Sequence, residues 1–500
     1  MKNNKSRYLI FGSDDRLWKF DQPVVFLGNW CCLYDNQNVW SKMDHVIAEP
    51  FGSVSRRNAD YSRVRQLEDE LFPILCDSLN SYHNTKYESG FWKIVLGVWF
   101  QRYVDVIYNR VETLKECLKN YNITGATKFD SNEYDLATTD SLSAIWSFDD
   151  DRWNNELYSR IFDIIGPLDF QIEIIRDDLG QNHFSRNKKN SSSEQTNFFK
   201  KTLKTVNAIA CFFSRRDESF IINSFLPKSK EIGLHLSLGH IPKIWVNDEY
   251  KVSHKTNFIA RKKLTKKIDQ YSDKGVRDVL RKQLFELIPV CYLEGFKEVL
   301  NVAKSKKWPM KPKFIFTSNN YDTDEVFKIW TALKVINGSR YIIGQHGNLS
   351  MIGSQTNRII DHKISDRFLS WGWSDDRLQV IPAFVFNTAG KIKKKHNKFG
   401  GILLTLCHYP HRASFWDASA NFIDTFQNIK KFIRIIPIEY RKLLTIRLNR
   451  NWKDFNWQEK DRLNMFSSQI KIEDGLVPLT KLIKRNKLVI HGYDSSGILE

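Results

Sequence analysis

The sequence contains few cysteines, and their spacing argues against two common uses. Seven cysteines occur in 500 residues, at positions 31, 32, 76, 117, 211, 291 and 407. Their number is odd and no CxxC pair or zinc-finger spacing connects them, which disfavours both a disulfide framework and a structural zinc site. A reducing cytoplasm is the compartment that best fits this pattern.

Long apolar runs are also missing. The longest stretch, FWKIVLGVWF at Phe91–Phe100, contains a lysine and is much shorter than the ~20 residues that cross a bilayer. The N-terminal segment MKNNKSRYLIFGSDDR has basic residues but no apolar centre, which argues against a secretory signal. We therefore expect a cytoplasmic protein without a membrane-spanning helix.

Familiar catalytic and nucleotide-binding motifs are absent as well, since the chain has no P-loop and no GxSxG, HExxH or GxGxxG pattern. A DxD triplet, Asp322-Thr323-Asp324, could mark a metal-dependent sugar-nucleotide site. It precedes a helical pattern and is followed by Glu325, however, which is typical of an N-cap with acids that complement the helix dipole. We interpret the triplet as a cap, and the acidic run Asp149–Asp151 as a solvated loop.

What the sequence does have is positive charge and a large apolar fraction. The formal charge is +19, from 76 Lys and Arg against 57 Asp and Glu, which predicts an anionic partner such as nucleic acid, an acidic leaflet or nucleotide phosphates. The basic residues are dispersed and no helix-turn-helix, RRM or zinc signature is present, so nucleic acid is disfavoured. With 500 residues and 42% hydrophobic residues, two or three domains are expected.

Alternating strand and helix patterns predict an α/β fold with parallel strands and crossover helices. The polar segment Phe184–Asn197 is predicted to be a surface loop, and the basic segment Thr388–Gly400 an interdomain linker. An aromatic and apolar stripe in the second helix, which includes Trp92 and Trp99, is typical of core packing. The predicted strands are 24–30, 313–319, 340–344, 366–373, 401–406, 443–449 and 487–493, and the predicted helices are 61–84, 91–118, 324–337, 415–432 and 476–486.

The stretch QHGN after the strand at 340–344 is the first candidate for chemistry. The strand delivers its last side chains to the sheet edge, and Gly347 is expected to permit a turn that a larger residue would resist. This would place His346 at the mouth of a cleft, where a histidine can act as a general base or bind a phosphate. The alternative is a turn histidine that is hydrogen-bonded to nearby backbone.

The last residues, DSSGILE, form a second candidate because they follow a predicted strand and open a helix. Free N–H groups and the positive dipole end suit a phosphate, the serine hydroxyls can add hydrogen bonds, and Glu500 can accept from a ribose hydroxyl. The alternative is an ordinary N-cap. Because the sequence stops there, we expect the second half to lack its last helices.

Basic side chains at strand ends form a third candidate set in the second half. Arginine offers a planar fork that suits phosphate oxygens. The residues concerned are His408, Arg412, Arg447 and Arg450.

Several of these stretches occur together in a known family. In chain order, FLGNWC, LNSYHN, GQHGN, ISDRFLSWGW, TIRLNR and YDSSGILE resemble a bacterial transferase family found in O-antigen and surface-polysaccharide gene clusters. More distantly, the QHG turn and the Ser-Gly-x-x-Glu ending are similar to capsule-polysaccharide and Kdo-type glycosyltransferases of the GT-B architecture.

The resemblance implies a glycosyltransferase that moves a sugar from a nucleotide-sugar donor to a growing surface polysaccharide, O-antigen or lipopolysaccharide acceptor. Its GT-B-like fold would have two Rossmann-like domains facing across a cleft. Residues 1–387 would form the acceptor-side domain with helical insertions, residues 388–400 the linker, and residues 401–500 an incomplete nucleotide-binding domain. The partners would be the donor and a glycan or lipid-linked glycan, with no cofactor and no nucleic acid, and the positive charge would favour peripheral docking on the inner face of the cytoplasmic membrane.

The resemblance also implies residue roles. His346 would be the catalytic base or phosphate contact, in an active-site loop with Gln345, Gly347 and Asn348. No metal would be bound, since basic side chains and a helix N-terminus would stabilise the leaving phosphate. Nucleotide-sugar-binding residues would be Arg412, Arg447, Ser495, Ser496, Gly497 and Glu500, and weaker acceptor-side candidates would be His83 and Asp366.

Three alternatives remain open from the sequence. A sugar-nucleotide epimerase or a polyol-phosphate transferase can use the same paired architecture. A nucleic-acid-binding protein would also explain the positive charge, and an inactive remnant would explain the shortened second half.

Overall fold

The computed structural model of the chain describes residues 3–49, 54–167, 170–176, 217–243, 250–269, 275–347, 360–391, 397–406, 419–466 and 470–492, with residues 205, 207, 210 and 213. These residues form an α/β molecule with three parallel sheets. The α/β class that the strand and helix alternation predicts is therefore confirmed.

The first sheet has five parallel strands in the order β3-β2-β1-β4-β5. The chain adds strands to both sides of β1, so the direction of winding reverses at that strand. The predicted strand at 24–30 is shorter in the structure, because residues Asn29–Cys31 form a 3-10 turn. The ring of Trp30 packs against Gly28, where a Cβ would lie 2.0 Å from it. The strands are β1 Asn3–Ile10, β2 Val24–Phe26, β3 His45–Ile47, β4 Tyr121–Phe129 and β5 Gln171–Ile175.

Four helices of eight residues or more lie in this part of the chain, and the second of them is the centre of the core. Its predicted stripe is confirmed as core, since Trp92, Val95, Trp99, Tyr103 and Ile107 are all no more than 1% exposed. Burial of an aromatic or aliphatic side chain of this size contributes roughly 1.5–3 kcal/mol. The helices are α1 Val54–His83, α2 Ser89–Asn120, α3 Ser141–Phe148 and α4 Asp151–Ile165.

The prediction that Asp149–Asp151 is a solvated loop is wrong. Asp150 caps α4, because its side chain accepts from the backbone N–H of Trp153 at 3.0 Å. Asp151 lies in the first turn of the helix and accepts from the backbone N–H and the hydroxyl of Ser13, both at 2.9 Å. Helix capping and a partner from a distant loop therefore replace solvent around these acids.

The second sheet has five parallel strands in the order β10-β9-β8-β7-β6. The helix between β7 and β8 is capped as predicted, since the Asp324 side chain accepts from the backbone N–H of Phe327 at 3.0 Å. One hydrophobic cluster contains residues from both the first and the second sheet. The strands are β6 Phe220–Ile221, β7 Phe314–Thr317, β8 Arg340–Gly344, β9 Arg367–Ser370 and β10 Val380–Pro382, and the helices are α5 Lys228–Ser237, α6 Phe258–Ile268, α7 Val276–Leu287, α8 Phe296–Ser305 and α9 Glu325–Val335.

The third sheet has four parallel strands in the order β13-β12-β11-β14, and a separate hydrophobic cluster supports it. Its winding reverses at β11, which has β12 on one side and β14 on the other. The strands are β11 Gly401–Thr405, β12 Leu444–Arg447, β13 Lys471–Glu473 and β14 Asn486–His491, and the helices are α10 Ser419–Ile435, α11 Glu459–Phe466 and α12 Leu479–Arg485.

The third-sheet unit contacts the loop that follows β2 of the first sheet. The Gln458 amide nitrogen lies 2.9 and 3.1 Å from the two carboxylate oxygens of Asp35. The Arg462 guanidinium carbon lies 4.3 Å from the centre of the Tyr34 ring. Because that loop leaves the carboxyl end of β2, this edge of the first sheet faces the third-sheet unit.

None of the helices in the described ranges is both long enough and apolar enough to cross a membrane.

Candidate active site

The carboxyl edge of the second sheet brings together the loops that follow neighbouring strands. The segments after β6, β7, β8 and β9 all leave the sheet at this edge, because the strands are parallel. In open α/β sheets this is the edge at which ligands bind. The predicted active-site loop, which follows β8, lies here.

Gln345 fixes the start of this loop. Its side chain is fully buried, and its carbonyl oxygen accepts from the backbone N–H of Trp371 at 2.7 Å and from the indole N–H of Trp373 at 2.8 Å. Its amide nitrogen donates to the backbone carbonyl of Gly347 at 2.7 Å. One side chain therefore joins the loops after β8 and β9.

Gly347 has a different role from the one predicted. Its φ is not in the left-handed region, and a Cβ built at this position has no neighbour within 4 Å among the described residues. The expectation that the turn needs glycine is therefore wrong for its backbone conformation. Among the residues that the structure describes, a side chain at this position would meet no neighbour.

His346 extends from the loop and remains exposed. Its ring centre lies 4.9 Å from that of Phe225, which follows β6 and has a φ of 60°. Partial desolvation lowers the pKa of His346, while the charge of Asp322 and a hydrogen bond with the Ser318 backbone oppose that shift. The imidazole is thus neutral at pH 7 and able to accept a proton.

Asp322 lies in the short helix Asn320–Thr323 that follows β7, and it is paired with Arg102 of α2. Two hydrogen bonds join their side chains, one of them between Nη2 and Oδ2 at 3.0 Å. Burial opposes ionisation of Asp322, but the charge of Arg102 and its hydrogen bonds hold the pKa of the carboxyl below its usual value. The prediction that the DxD triplet caps a helix is confirmed for Asp324. Asp322 instead pairs with Arg102.

A second carboxyl group lies beneath this pair. The Tyr321 hydroxyl donates to Asp361 at 2.9 Å, and burial raises the pKa of Asp361 to about 6. The sequence reasoning missed Asp322 and Phe225 as neighbours of His346, and Arg102 as the partner of Asp322. For Asp322 and Phe225 a signal existed, since each follows a strand, but Arg102 lies within a helix 220 residues away from Asp322.

The two weaker acceptor-side candidates lie away from His346. Asp366 precedes β9 and its side chain accepts from the backbone N–H of Tyr341 at 2.6 Å, at the start of β8. At ~3.3 Å per residue, the five residues of β8 put about 16 Å between that end of the sheet and the edge with His346. His83 is 5% exposed and its Nε2 lies 3.0 Å from the carbonyl oxygen of Tyr292, a position typical of a core histidine.

Of the residues predicted to bind the nucleotide sugar, the structure describes Arg447, which lies at the carboxyl edge of the third sheet. The Arg447 Nε lies 3.6 Å from a carboxylate oxygen of Glu473, which also accepts from the backbone N–H of Gly475 and Val477. The hydroxyl of Thr405 lies 3.0 Å from Nδ1 of His491, a strand-end histidine that was not among the predicted site residues. Asn348, His408, Arg412, Ser495, Ser496, Gly497 and Glu500 lie outside the described residues.

Within the described part of the chain, no group of three or more His, Cys, Asp or Glu side chains is placed to hold a metal ion. The DxD carboxylates have other contacts, since Asp322 pairs with Arg102 and Asp324 caps α9.

Comparison with known proteins gives a family match. A profile described as LIC12162 family transferase matches residues 7–500, which is nearly the whole chain. No curated protein and no solved structure matches significantly.

Proposed function

This chain belongs to the LIC12162 family of transferases, and from that premise we propose that it is a glycosyltransferase. The transferred group is a sugar from a nucleotide-sugar donor, and the acceptor is a bacterial surface glycan such as an O-antigen chain. The observation that carries the proposal is the exposed, neutral His346 at the carboxyl edge of a parallel sheet, within the electrostatic influence of the Asp322 carboxylate.

His346 is the group that acts on the reacting atoms. Its imidazole takes the proton of an acceptor hydroxyl, the acceptor oxygen forms a bond to the anomeric carbon, and the bond from that carbon to the donor phosphate breaks. The nucleotide leaves with the electron pair of that bond. Loss of a positioned general base lowers the rate by ~10²–10⁴-fold.

The third sheet holds the nucleotide in this proposal. Arg447 at the end of β12 neutralises charge on the leaving phosphate, assisted by Arg412 and by the segment with Ser495, Ser496, Gly497 and Glu500. A GT-B-like arrangement would place this unit across a cleft from the acceptor side. A positive side chain and a helix N-terminus can perform this stabilisation without a metal ion, and EDTA should then leave the rate unchanged.

The test is a transfer assay on the full chain with CMP-, UDP-, GDP- and dTDP-sugars, preceded by thermal-shift measurements with each donor. His346→Ala should lower turnover by roughly 10²-fold or more while Tm stays unchanged. His254→Ala is the matched control, because His254 is exposed and its Nδ1 lies 3.0 Å from the carboxylate of Glu298, far along the chain from the site. Unchanged turnover in His346→Ala would remove the histidine from the mechanism, and no Tm response to any donor would count against the function.

A further inference from the structure

We propose that the carboxyl edge of the first sheet, at the corner formed by Gly12, Ser13, Asp151 and Asn155, binds hydroxyl groups of a sugar. Nothing in the family match or in the predicted site residues assigns this corner. The inference rests on the proposed glycosyltransferase function, for which it supplies the acceptor side.

The position of the corner in the sheet is the first argument. Gly12 and Ser13 follow β1, and β1 is the strand at which the winding of the first sheet reverses. The crevice outside the carboxyl ends of the strands, at such a reversal, is where open α/β sheets bind ligands. The neighbouring loop after β2 contacts the third-sheet unit through Asp35 and Gln458, so the corner lies at the edge that faces this unit.

A close approach of loop and helix is the second argument. A Cβ at Gly12 would lie 3.0 Å from Oδ2 of Asp151 and 3.4 Å from the amide nitrogen of Asn155. The backbone of Gly12, which is buried, therefore packs directly against these two polar side chains, and a larger residue here would displace them. Asp151 and Asn155 are four residues apart on α4, so they lie on the same face of the helix.

The third argument is an unpartnered buried amide. Asn155 is 2% exposed, and among the described residues neither its nitrogen nor its oxygen has a hydrogen-bond partner. A buried amide without partners is costly, so such groups in folded proteins usually bond to a ligand or an ordered water. The amide supplies both N–H donors and a carbonyl acceptor, and a sugar hydroxyl can pair with either.

Asp151 supplies the charged contact. Both bonds from Ser13 end on Oδ2, which leaves Oδ1 to accept from a ligand hydroxyl. Burial raises the pKa of Asp151 to about 6, so the carboxylate is ionised at pH 7.5 and gains from a hydrogen-bond donor. Carboxylate and amide groups side by side therefore fit the hydroxyl-rich face of a neutral sugar.

The corner is rigid before any ligand binds. The indole N–H of Trp18 donates to the Gly12 carbonyl at 3.1 Å, and that of Trp30 donates to the Phe11 carbonyl at 2.9 Å. The ring of Tyr158 lies nearly parallel to those of Phe11 and Trp30, with both pairs of centres 6.1 Å apart. A site held in this way loses little entropy on binding.

The experiment measures binding of methyl glycosides of glucose, galactose, mannose and N-acetylglucosamine to the full chain by saturation-transfer NMR at pH 7.5. Asp151→Asn and Asn155→Leu should each weaken binding of the best glycoside by roughly tenfold or more, as expected for loss of hydrogen bonds in a desolvated site. Asp163→Asn is the matched control on the same helix, since Asp163 bonds Lys128 at 3.0 Å at the surface, and it should bind as the unaltered chain does.

The Asn155→Leu variant separates binding from structure. If Asn155 only packs, replacing its unpartnered amide by an apolar group should keep or raise Tm and leave glycoside binding unchanged, and that result would overturn the proposal. No binding of any glycoside to the unaltered chain at 50 mM would overturn it as well. If the glycosides bind but no nucleotide sugar shifts Tm, the result would contradict the proposed nucleotide-sugar donor and leave the sugar site in place.

Discussion

Asp322 places a negative charge beside the imidazole of His346, and Arg102 holds that charge in place through two hydrogen bonds. A nearby negative charge favours the protonated form of a histidine and so raises its pKa. Other neighbours of the imidazole are the Ser318 backbone and the Phe225 ring. Asp322 is therefore the side chain whose charge most directly sets the proton affinity of His346.

Asp322→Asn should move the acid limb of the kcat/KM profile to lower pH. The carboxylate raises the pKa of His346 against desolvation, so its removal lowers that pKa, and the base then becomes neutral at a lower pH. The measurement is kcat/KM between pH 4.5 and 8 for both proteins, with Tm confirming that the variant folds. An acid limb that stays in place would show that Asp322 does not control His346.

His235 gives a second prediction at this scale, about stability. It is 2% exposed, and neither ring nitrogen has a hydrogen-bond partner among the described residues. Burial, with the charges of His240 and Lys243 adding to it and Glu218 opposing, lowers the pKa of His235 to about 4. The unfolded chain therefore binds more protons than the folded chain between about pH 4 and 6.5, and stability is lost as pH falls through that window.

His235→Leu should remove this pH dependence. On lowering the pH from 7.5 to 5.0, the free energy of unfolding should fall by roughly 2 kcal/mol less in the variant than in the unaltered chain. Urea unfolding at the two pH values measures the difference. Equal losses in both proteins would mean that His235 is accessible to protons in the folded state.

At the scale of elements, helix α9 is joined to its surroundings by a buried charged network. Lys328 and Glu325 are 1% and 0% exposed and lie 2.9 Å apart. The Lys328 ammonium also donates to the Tyr292 hydroxyl at 2.7 Å, the Ser141 hydroxyl at 3.1 Å and the Asp322 carbonyl at 3.2 Å. The network thus connects α9 and α3 to the short helix that carries Asp322.

Lys328→Met should destabilise the protein strongly, by about 3–5 kcal/mol, because it leaves the Glu325 carboxylate buried without its partner. The double variant Lys328→Met/Glu325→Gln should recover part of that loss, since no uncompensated charge remains. Urea unfolding of the two variants and the unaltered chain provides the comparison. If the double variant is no more stable than Lys328→Met, the hydrogen bonds of Lys328 contribute to stability and its charge pairing with Glu325 does not.

Elements with local signals could be predicted closely from the sequence. Strand β8 has its predicted bounds, and α9 lies within the predicted 324–337 because its cap and its apolar pattern are contiguous in the chain. The separation of residues 1–387 into two sheets was not visible, since β6 has only two residues and pairs with β7 far along the chain. Local patterns carry no information about such distant pairing.

The candidate site divides in the same way. A histidine directly after a strand could be placed at a sheet edge without coordinates, as could its neighbour Gln345. Arg102 could not, because its contact with Asp322 depends on how α2 packs against α9 and the short helix before it. Asp151 was misassigned for a related reason, since its partner Ser13 lies 138 residues earlier.

At the scale of the whole molecule, the described residues form two large hydrophobic clusters of unequal size and a small third one around Ile221, Phe316 and Phe386. One cluster joins the first and second sheets, and a separate cluster supports the third. The polar and aromatic contacts around Asp35 and Tyr34 connect the two parts. Contacts of this kind are weak compared with a shared apolar core.

Calorimetry of the full chain should therefore show two unfolding transitions. Ile446→Ala, in the core of the third sheet, should lower one transition, and Ile343→Ala, in the larger core, should lower the other, because each variant deletes a side chain that is 0% exposed and costs about 2–5 kcal/mol. A donor nucleotide at 100 times its Kd should raise the transition of the third sheet by ~10 °C, from ~2.7 kcal/mol of binding energy. A single transition that both variants lower would show that the units unfold together, and a donor that raises only the Ile343→Ala-sensitive transition would place the nucleotide on the other side of the molecule.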